Sequence, residues 1–214
     1  MGEEIRPYGR FDVCILAGGR GSRLKGVWDH AKCLVPVGGV PLIERLLNMI
    51  VPLDPQRIVL ALGHYDEEVV TWLHDENLRR LIPAGIDLRT HREKFPSGTA
   101  GALRDSLQSL GSTVLVLNGD TLPLYSLPIM MKTLSMTVRP FPIVAAWHEG
   151  AYAGAAMFYE DGLRQLAKMK ATDLDDLLKA KAARYPVLEG YFDVGTPEAF
   201  AAAQTFSPTG EKQT

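Results

Sequence analysis

Short apolar runs alternate along the chain with longer segments whose apolar residues recur at helical spacing. Most of the runs are rich in Val, Ile and Leu, which is typical of buried strands. They predict strands at residues 11–16, 57–62, 86–90 and 113–117. The last of these is rich in β-branched residues and is expected to be central in a sheet. The intervening segments predict helices at residues 41–50, 66–80 and 97–110.

The alternation continues to residue 136 and indicates parallel strands joined by helical crossovers. The expected fold class is therefore α/β, with three layers and a mostly parallel twisted sheet between helices. The pattern then changes, because two predicted strands at 141–147 and 152–159 are separated by only four residues and are expected to pair antiparallel. Helices at 162–170, 173–183 and 197–204 and a strand at 187–194 complete the prediction.

Composition is that of an ordinary globular protein, with 46% hydrophobic and 22% charged residues in a chain of 214. Neither a repeat nor a linker interrupts the sequence, so we expect a single domain over residues 1–206. The polar tail at 207–214 is expected to be disordered.

Charge and hydropathy exclude several classes of partner. The net charge of −2 and the absence of a basic block argue against nucleic acid. No apolar stretch is long enough to span a bilayer, and the acidic N-terminus lacks the apolar core of an export signal. We therefore expect a cytoplasmic protein without a membrane partner. Two cysteines, Cys14 and Cys33, stand apart from any clustered histidines and predict buried free thiols rather than a zinc site.

A glycine-rich loop follows the first predicted strand and is the most informative segment of the chain. Gly18, Gly19 and Gly21 lie within four positions, Arg23 follows, and Lys32 comes nine residues later. Backbone without side chains can approach a polyphosphate closely and donate its N–H groups, while the two cations neutralise the remaining charge. The loop therefore predicts binding of a nucleoside triphosphate, and a purely structural turn is the alternative.

Two common phosphate-binding motifs are excluded. Gly21 and Gly26 have the spacing of a Walker A loop, but Val27 and Trp28 stand where that loop needs Lys and Ser or Thr. The dinucleotide fingerprint fails because Leu24 occupies the position of its third glycine.

Four loops are expected to meet at one edge of the sheet, because ligands of parallel α/β sheets bind at the carboxyl ends of the strands. These loops are residues 17–26, 63–65, 93–101 and 118–120. Within the last of them Asp120 ends the apolar run VLVLNGD and is suited to hold Mg²⁺, although it could instead cap the following turn.

A second carboxylate candidate and a helix start lie further from the glycine loop in sequence. Asp193 stands in a predicted apolar strand, where its burial would require either a metal or a neighbouring Arg or Lys. Thr196 and Pro197 then read as the N-cap and first turn of a helix. The small residues at 97–101 let a base or phosphate approach the backbone, or they form a capped and tightly packed helix.

Taken in order, five segments of the chain resemble the sugar-1-phosphate nucleotidyltransferase family. The first, LAGGRGSRL, is similar to its signature loop, and Lys32 in KCLVPVGGVPLI is similar to the lysine of its Pro-Lys-Pro-Leu motif. The segment EKFPSGTAGAL resembles its base-side helix start, and LNGD and YFDVGTPEAF resemble the two segments that carry its metal-binding aspartates. The likeness extends from about residue 11 to residue 204.

The resemblance implies a Rossmann-like nucleotide-diphospho-sugar transferase fold. It also implies a reaction in which an NTP and a sugar 1-phosphate give an NDP-sugar and pyrophosphate. Mg²⁺ is the implied cofactor, held by Asp120 and Asp193. The implied catalytic residues are Arg23, Lys32 and Asp120. The implied nucleotide-binding residues are Leu16, Ala17, Gly18, Gly19, Gly21, Ser22, Arg23, Gly98, Thr99, Ala100, Asn118 and Gly119. Glu149 and Gly154 are the implied sugar-side residues, and an assembly of identical chains is left open.

The chain departs from the family pattern at three points. Ala31 replaces the proline that precedes the lysine, and the loop from Arg23 to Lys32 is one residue short. The Glu-Lys pair of the sugar side is not evident, although His148 and Glu149 stand near its position. The favoured activity is that of a heptose- or mannose-1-phosphate guanylyltransferase or a related hexose uridylyltransferase. The alternatives are a cytidylyl- or molybdopterin-type nucleotidyltransferase and a catalytically weak nucleotide-sugar-binding or regulatory subunit.

Overall fold

A computed structural model describes residues 8–74, 81–93, 97–136, 141–170 and 172–207 of the chain. Its strands, numbered in chain order, are β1 (Asp12–Leu16), β2 (Pro36–Val37), β3 (Val40–Pro41), β4 (Arg57–Leu62), β5 (Asp87–Arg92), β6 (Thr113–Asn118), β7 (Thr121–Pro123), β8 (Ile143–His148), β9 (Ala151–Tyr159), β10 (Ala183–Pro186) and β11 (Tyr191–Asp193). Its α-helices are α1 (Leu42–Ile50), α2 (Asp66–Leu73), α3 (Gly98–Ser106), α4 (Leu127–Met136), α5 (Glu160–Lys168), α6 (Leu174–Lys181) and α7 (Pro197–Gln204).

Seven strands form the main sheet, in the order β10-β8-β9-β6-β1-β4-β5. Every neighbouring pair is parallel except the two that involve β9, which is antiparallel to both β6 and β8. Strand β6 is the middle strand of the seven, as its β-branched composition predicts. The predicted fold class, α/β with a mostly parallel sheet, is confirmed.

Side chains of the central strands alternate between two separate apolar layers. Val13 and Ile15 of β1 pack on one face of the sheet under α1, α2, α4 and α7, whereas Cys14 and Leu16 pack on the other under α3, α5 and α6. All four side chains are at most 8% exposed, because a strand buried on both faces must be apolar at every position. The predicted three-layer arrangement follows from this alternation. Among the described residues no helix has both the length and the apolar character needed to cross a membrane.

The predicted antiparallel pair after residue 137 is confirmed as the β8–β9 hairpin. Its two-residue turn consists of Glu149 at φ +49° and Gly150 at φ +85°, the two positive values of a type I′ turn. The register pairs Leu117, near the end of β6, with Ala155 of β9. Residues 151–153 and the turn therefore extend past the carboxyl end of β6.

The predicted strand at 187–194 is wrong in extent. Only Tyr191–Asp193 is a strand, and it pairs antiparallel with Thr121–Pro123 in a small sheet of its own. Val187 and Val194 pack against the core, but Leu188 between them is 95% exposed and Gly190 weakens a strand, so the apolar run is not one continuous strand. The helix predicted at 173–183 is α6, which ends at Lys181. The last residue of the predicted range, Ala183, instead begins strand β10.

Other boundaries differ by smaller amounts. The helix predicted at 66–80 is described as far as Leu73, with His74 as its C-cap, and residues 75–80 lie outside the described part of the chain. The helix predicted at 97–110 ends at Ser106 and continues as a 3₁₀ turn over Leu107–Ser109. Of the predicted tail, residues 208–214 also lie outside the described residues, and the domain boundary at 206 remains a prediction.

An ion-pair cluster ties together the amino ends of three strands, at the edge opposite the glycine loop. The Asp12 carboxylate, 3% exposed, accepts hydrogen bonds from the Gly111 backbone N–H at 2.6 Å and from Arg57 Nη1 at 3.3 Å. The Arg57 Nε donates to Asp87 at 2.9 Å. The positive charge of Arg57 therefore balances the buried carboxylate of Asp12 on β1 and the more exposed carboxylate of Asp87 on β5.

We expect Arg57→Met to lower the free energy of unfolding by about 3 kcal/mol, because it leaves the buried Asp12 carboxylate without its cation. Arg89→Met is the matched control. Arg89 also pairs with Asp87, at 2.8 Å, but both side chains are over 40% exposed, so its loss should change the stability by less than about 1 kcal/mol. Urea denaturation of both variants checks the expectation, and equal losses would contradict it.

Candidate functional site

Strands β1 and β6 lie side by side and deliver two of the predicted site segments to one edge. Leu16 pairs with Asn118, and the Gly119 N–H donates to the Leu16 carbonyl at 2.9 Å. A side chain at position 119 would bring its Cβ to 2.7 Å from that carbonyl oxygen, so only glycine permits this approach. The glycine loop and Asp120 therefore leave the sheet from neighbouring positions.

A cavity of about 340 Å³ opens between these segments. Its lining includes ten of the predicted site residues: Leu16, Ala17, Gly18, Gly19, Lys32, Gly98, Thr99, Asn118, Gly119 and Asp120. Three of the four loops expected at this edge contribute to the lining. The fourth touches the glycine loop, since the His64 N–H donates to the Gly18 carbonyl at 3.3 Å. A wider cleft of about 600 Å³ at Phe141 and Arg164 contains none of the predicted site residues.

The side chain of Lys32 lies across the glycine loop. Gly21 has φ +62°, and a Cβ there would lie 3.1 Å from Cγ of Lys32, so the loop and the lysine stem are in close contact. The Lys32 ammonium donates to Oδ2 of Asp120, and only 11% of the lysine side chain is exposed. The other oxygen, Oδ1, accepts from the Thr121 hydroxyl at 3.3 Å. Asp120 therefore faces the lysine and does not cap the following turn by a backbone hydrogen bond of its own.

The two predicted metal-binding aspartates are brought together by the small β7–β11 sheet. Asp193 pairs with Thr121, and the Val194 N–H donates to the Asp120 carbonyl at 3.0 Å. Residue 193 as a whole is exposed, but desolvation of its carboxylate raises its pKa above the ordinary value, and the negative charge of Asp120 adds to the effect. Lys32 and Arg23 act in the opposite direction. Of the two partners that the sequence allows for Asp193, a metal or a basic side chain, the structure shows the second, because Lys32 and Arg23 lie close enough to act on it.

This donor set fits Mg²⁺. Magnesium takes one or two carboxylates and keeps waters or phosphate oxygens in its remaining positions. Two neighbouring carboxylates repel each other when both are ionised, and a divalent cation bound between them relieves this repulsion. Within the described ranges no group of three or more His, Cys, Asp or Glu side chains could hold a metal ion, which argues against a closed zinc site at this edge.

Four predicted nucleotide-binding residues do not line the cavity: Gly21, Ser22 and Arg23 of the glycine loop, and Ala100 of α3. Gly21 and Ser22 begin the 3₁₀ turn Ser22–Leu24. Arg23 extends instead toward Asp193, because a Cβ on Gly195 would meet Arg23 Nη2 at 3.3 Å and Asp193 Oδ1 at 2.8 Å. Its guanidinium is close to Asp193, and its predicted contact with the triphosphate stays a prediction.

The helix start at α3 is held differently from an ordinary capped helix. The Ser97 hydroxyl makes no cap and donates to Glu93 at 2.9 Å. The Thr99 hydroxyl accepts from the Leu174 N–H at 2.8 Å, which fixes the start of α6. Ala100, predicted to face the nucleotide, is buried in the apolar layer beneath α3 and does not line the cavity. Residues 94–96 of this segment lie outside the described residues.

The two sugar-side candidates occupy different environments. Glu149 is exposed in the turn of the β8–β9 hairpin and is not among the described residues that line the cavity. Gly154 is buried beside β7, and a Cβ there would meet Thr121 Cγ2 at 2.6 Å. Gly154 therefore contacts Thr121, the residue that follows Asp120. The predicted role of Glu149 has no such contact to support it.

The sequence reasoning did not select four residues that also line the cavity: Arg20, Cys33, Glu93 and Ala102. Arg20 and Glu93 lie within two segments already assigned to the site, and their charged side chains are the feature that could have identified them. Cys33 is 1% exposed, and burial raises its pKa to about 12. Its thiol is therefore protonated at neutral pH and is not a nucleophile.

Comparison with known proteins agrees with this geometry. The sequence model of one family, described as the MobA-like NTP transferase domain, matches residues 13–185. A D-glycero-alpha-D-manno-heptose 1-phosphate guanylyltransferase from Campylobacter jejuni is 32% identical over 108 residues, which are 50% of this chain and 46% of that protein. The chain spans less than half the length of the curated relatives it matches.

Solved structures share the fold at low sequence identity. HddC from Yersinia pseudotuberculosis, in complex with GMP-PN, is 20% identical and has a TM-score of 0.71 over 91% of this chain and 98% of its own. A UDP-glucose pyrophosphorylase from Acinetobacter baumanii is 14% identical and has a TM-score of 0.73 over 91% of this chain and 92% of its own. The fold of this chain is therefore a nucleotidyltransferase fold, as the sequence predicts.

The raised pKa of Asp193 makes a prediction about stability. Because the folded pKa lies above the unfolded one, the folded chain loses stability as the pH rises through the interval between 3.8 and the raised value. Asp193→Asn removes this penalty. Thermal unfolding of the protein without ligands should give a higher Tm for the variant than for the wild type at neutral pH, and no gain below pH 3.8.

Glu198→Gln is the control with the opposite sign. Its own backbone N–H and the Thr196 hydroxyl lower the pKa of Glu198, so this carboxylate stabilises the folded chain at neutral pH. The variant should have a lower Tm than the wild type there. An Asp193→Asn variant that is less stable than the wild type at neutral pH would contradict the account of this carboxylate pair.

Proposed function

The chain belongs to the MobA-like NTP transferase domain family, and we propose that it transfers a nucleoside monophosphate from an NTP to a sugar 1-phosphate. The products are an NDP-sugar and pyrophosphate. One observation carries the proposal: the Lys32 ammonium lies across a glycine loop and contacts Asp120 inside a single cavity at the carboxyl edge of the sheet. A lysine and a carboxylate placed together beside a glycine-rich loop suit a polyphosphate with its metal.

The chemistry needs no protein nucleophile. An oxygen of the sugar phosphate attacks the α-phosphorus of the NTP in line, the bond to the bridging oxygen breaks, and pyrophosphate leaves with the electron pair. Catalysis of such a step consists of positioning and of stabilising negative charge. The buried thiols agree with this scheme, since burial raises the pKa values of both Cys14 and Cys33 to about 12.

Each charged side chain then has a distinct task. Lys32 supplies positive charge at the α-phosphate and at the incoming sugar phosphate, because its stem is already fixed over the loop that receives the triphosphate. Asp120 and Asp193 would hold Mg²⁺, which neutralises charge on the phosphate oxygens when bound. Gly98 and Thr99 present a helix start to the base side of the cavity.

The proposed acceptor is a heptose or mannose 1-phosphate, and the proposed base is guanine. Support comes from the Campylobacter jejuni relative, whose name gives a heptose 1-phosphate and a guanylyl group, and from the Yersinia pseudotuberculosis structure with GMP-PN. The relative matches only half of this chain, so the acceptor and base are the finer part of the proposal.

A panel assay tests the proposed reaction. The protein is incubated with Mg²⁺, each of the common NTPs and a set of sugar 1-phosphates, and pyrophosphate release is followed. We expect release with one preferred pair and a loss of at least about 100-fold in Asp120→Asn, because the charge that organises the site is gone. Asp105→Asn, an exposed aspartate on α3, is the control and should keep wild-type activity.

The possible outcomes separate the alternatives. Binding of an NDP-sugar without turnover on any pair would favour a binding or regulatory subunit and contradict the enzyme. Pyrophosphate release with phosphorylated acceptors that lack a sugar would contradict the sugar 1-phosphate assignment while leaving nucleotidyl transfer intact.

Lys32→Met should lower kcat more than it weakens nucleotide binding. We expect a fall of about 100-fold in kcat and a change of less than about 3-fold in the Kd of the NTP, because the lysine acts on charge that develops during transfer. Lys25→Met removes an exposed lysine of the same loop and should change neither value. Steady-state kinetics and calorimetric titration check the two numbers. An unchanged kcat in Lys32→Met would refute the role of this lysine.

A further inference from the structure

The short loop that leads to Lys32 is anchored by a side chain distant in sequence. Glu68, in the first turn of α2, accepts the backbone N–H of Ala31 on Oε2 at 3.0 Å. Its other oxygen, Oε1, lies 3.3 Å from Nδ1 of His30. These contacts span 37 and 38 residues of sequence and fix the two positions that precede the lysine.

Ala31 has a conformation that alanine does not enforce by itself. It is 1% exposed, with φ −55° and ψ 125°. Its carbonyl accepts both the Trp28 indole N–H at 3.1 Å and the Leu34 N–H at 2.9 Å. This φ falls within the narrow range that a proline ring would impose, and a proline at this position would carry no N–H. The hydrogen bond to Glu68 therefore holds Ala31 at a φ value that the ring of a proline at this position would also impose.

The position of Lys32 depends on this geometry. Ala31 is the N-cap of the 3₁₀ turn Lys32–Leu34, so its dihedral angles set the direction in which the lysine leaves the backbone. The ammonium reaches Asp120 with its side chain largely buried, which leaves little freedom to correct a shifted backbone. An error of about 1 Å in the placement of a catalytic group can cost about 100-fold in rate.

We propose that Glu68 is a positioning residue for Lys32, acting through the Ala31 N–H. The inference rests on the proposed nucleotidyl transfer for its kinetic readout, and it extends the site to a carboxylate that does not line the cavity of Lys32 and Asp120. Glu68 does through a hydrogen bond what a proline ring at position 31 would do through a fixed φ. A proline can therefore replace Glu68 functionally, whereas a second acceptor elsewhere cannot.

The proposal predicts a rescue. Glu68→Ala should lower kcat by about 10-fold or more and change the KM of the NTP less than about 3-fold, since the lysine is displaced and the glycine loop is not. Ala31→Pro alone should also be impaired, because the ring Cδ must occupy the path between the Ala31 nitrogen and Glu68 Oε2. The double variant Glu68→Ala with Ala31→Pro should be faster than either single variant and within about 3-fold of the wild type.

Two controls separate positioning from helix stability. Glu68→Gln keeps an oxygen acceptor for the Ala31 N–H and should stay close to the wild type. Glu67→Ala removes the neighbouring first-turn carboxylate, which is exposed and makes no side-chain hydrogen bond or ion pair to another described residue, and should not change kcat. Loss of favourable charge at the helix N-terminus would affect Glu67→Ala and Glu68→Ala alike.

Amide hydrogen exchange gives a readout that needs no turnover. The N–H groups of Leu34 and Val35 donate to the carbonyls of Ala31 and Lys32, so they report on the 3₁₀ turn. Their exchange should be faster in Glu68→Ala by about 10-fold or more and slow again in the double variant. Exchange that follows this pattern in a protein without transferase activity would support the positioning role and reject the proposed reaction.

The opposite pattern overturns the inference while leaving the reaction in place. That pattern is an active wild type together with full activity and unchanged exchange in Glu68→Ala. A Glu68→Ala defect that Ala31→Pro does not restore, or an equal defect in Glu67→Ala, would also overturn it.

Discussion

The parallel pairing of β1 with β6 is the constraint on which the rest of the site depends. Because both strands point the same way and are in register at Leu16 and Asn118, their following loops must begin at adjacent points. One loop carries the glycines and the other carries Asp120. The contact between the Gly119 N–H and the Leu16 carbonyl fixes their separation and leaves no room for a side chain at position 119. The cavity exists because two buried strands end together.

Electrostatics then decide what this edge can hold. The Lys32 ammonium contacts Asp120. Desolvation raises the pKa of Asp193, and the negative charge of Asp120 raises it further. The site thus holds two neighbouring carboxylates, of which Asp193 has a raised pKa, and a glycine loop with the Lys32 stem packed across it. A divalent cation and a polyphosphate satisfy both features at once, since the cation neutralises the carboxylates and the phosphates accept the lysine. This joint preference is why the geometry favours nucleotidyl transfer over binding of an uncharged ligand.

The sequence predicts those parts of the fold that depend on local pattern. The strand at residues 57–62 and the helix at 197–204 agree with Arg57–Leu62 and Pro197–Gln204, because buried runs and a Thr-Pro helix start are local signals. The strand at 187–194 fails because Leu188 is apolar but exposed, which no periodicity reveals. Lys32 and Asp120 could be assigned to one site from their motifs, yet their direct contact spans 88 residues. The Glu68–Ala31 hydrogen bond had no motif at all, since any polar residue on α2 could have faced the loop.

The central claim is that the α-phosphate of an NTP moves to a sugar 1-phosphate in the cavity that contains Lys32 and Asp120. The most direct measurement uses an NTP labelled at the α-phosphate, the preferred sugar 1-phosphate and Mg²⁺, followed by separation of the products. The account predicts that the label appears in an NDP-sugar with the wild type and that this product is lost with Asp120→Asn. Label that appears only as free nucleoside monophosphate, or an NDP-sugar formed equally by Asp120→Asn, would contradict it.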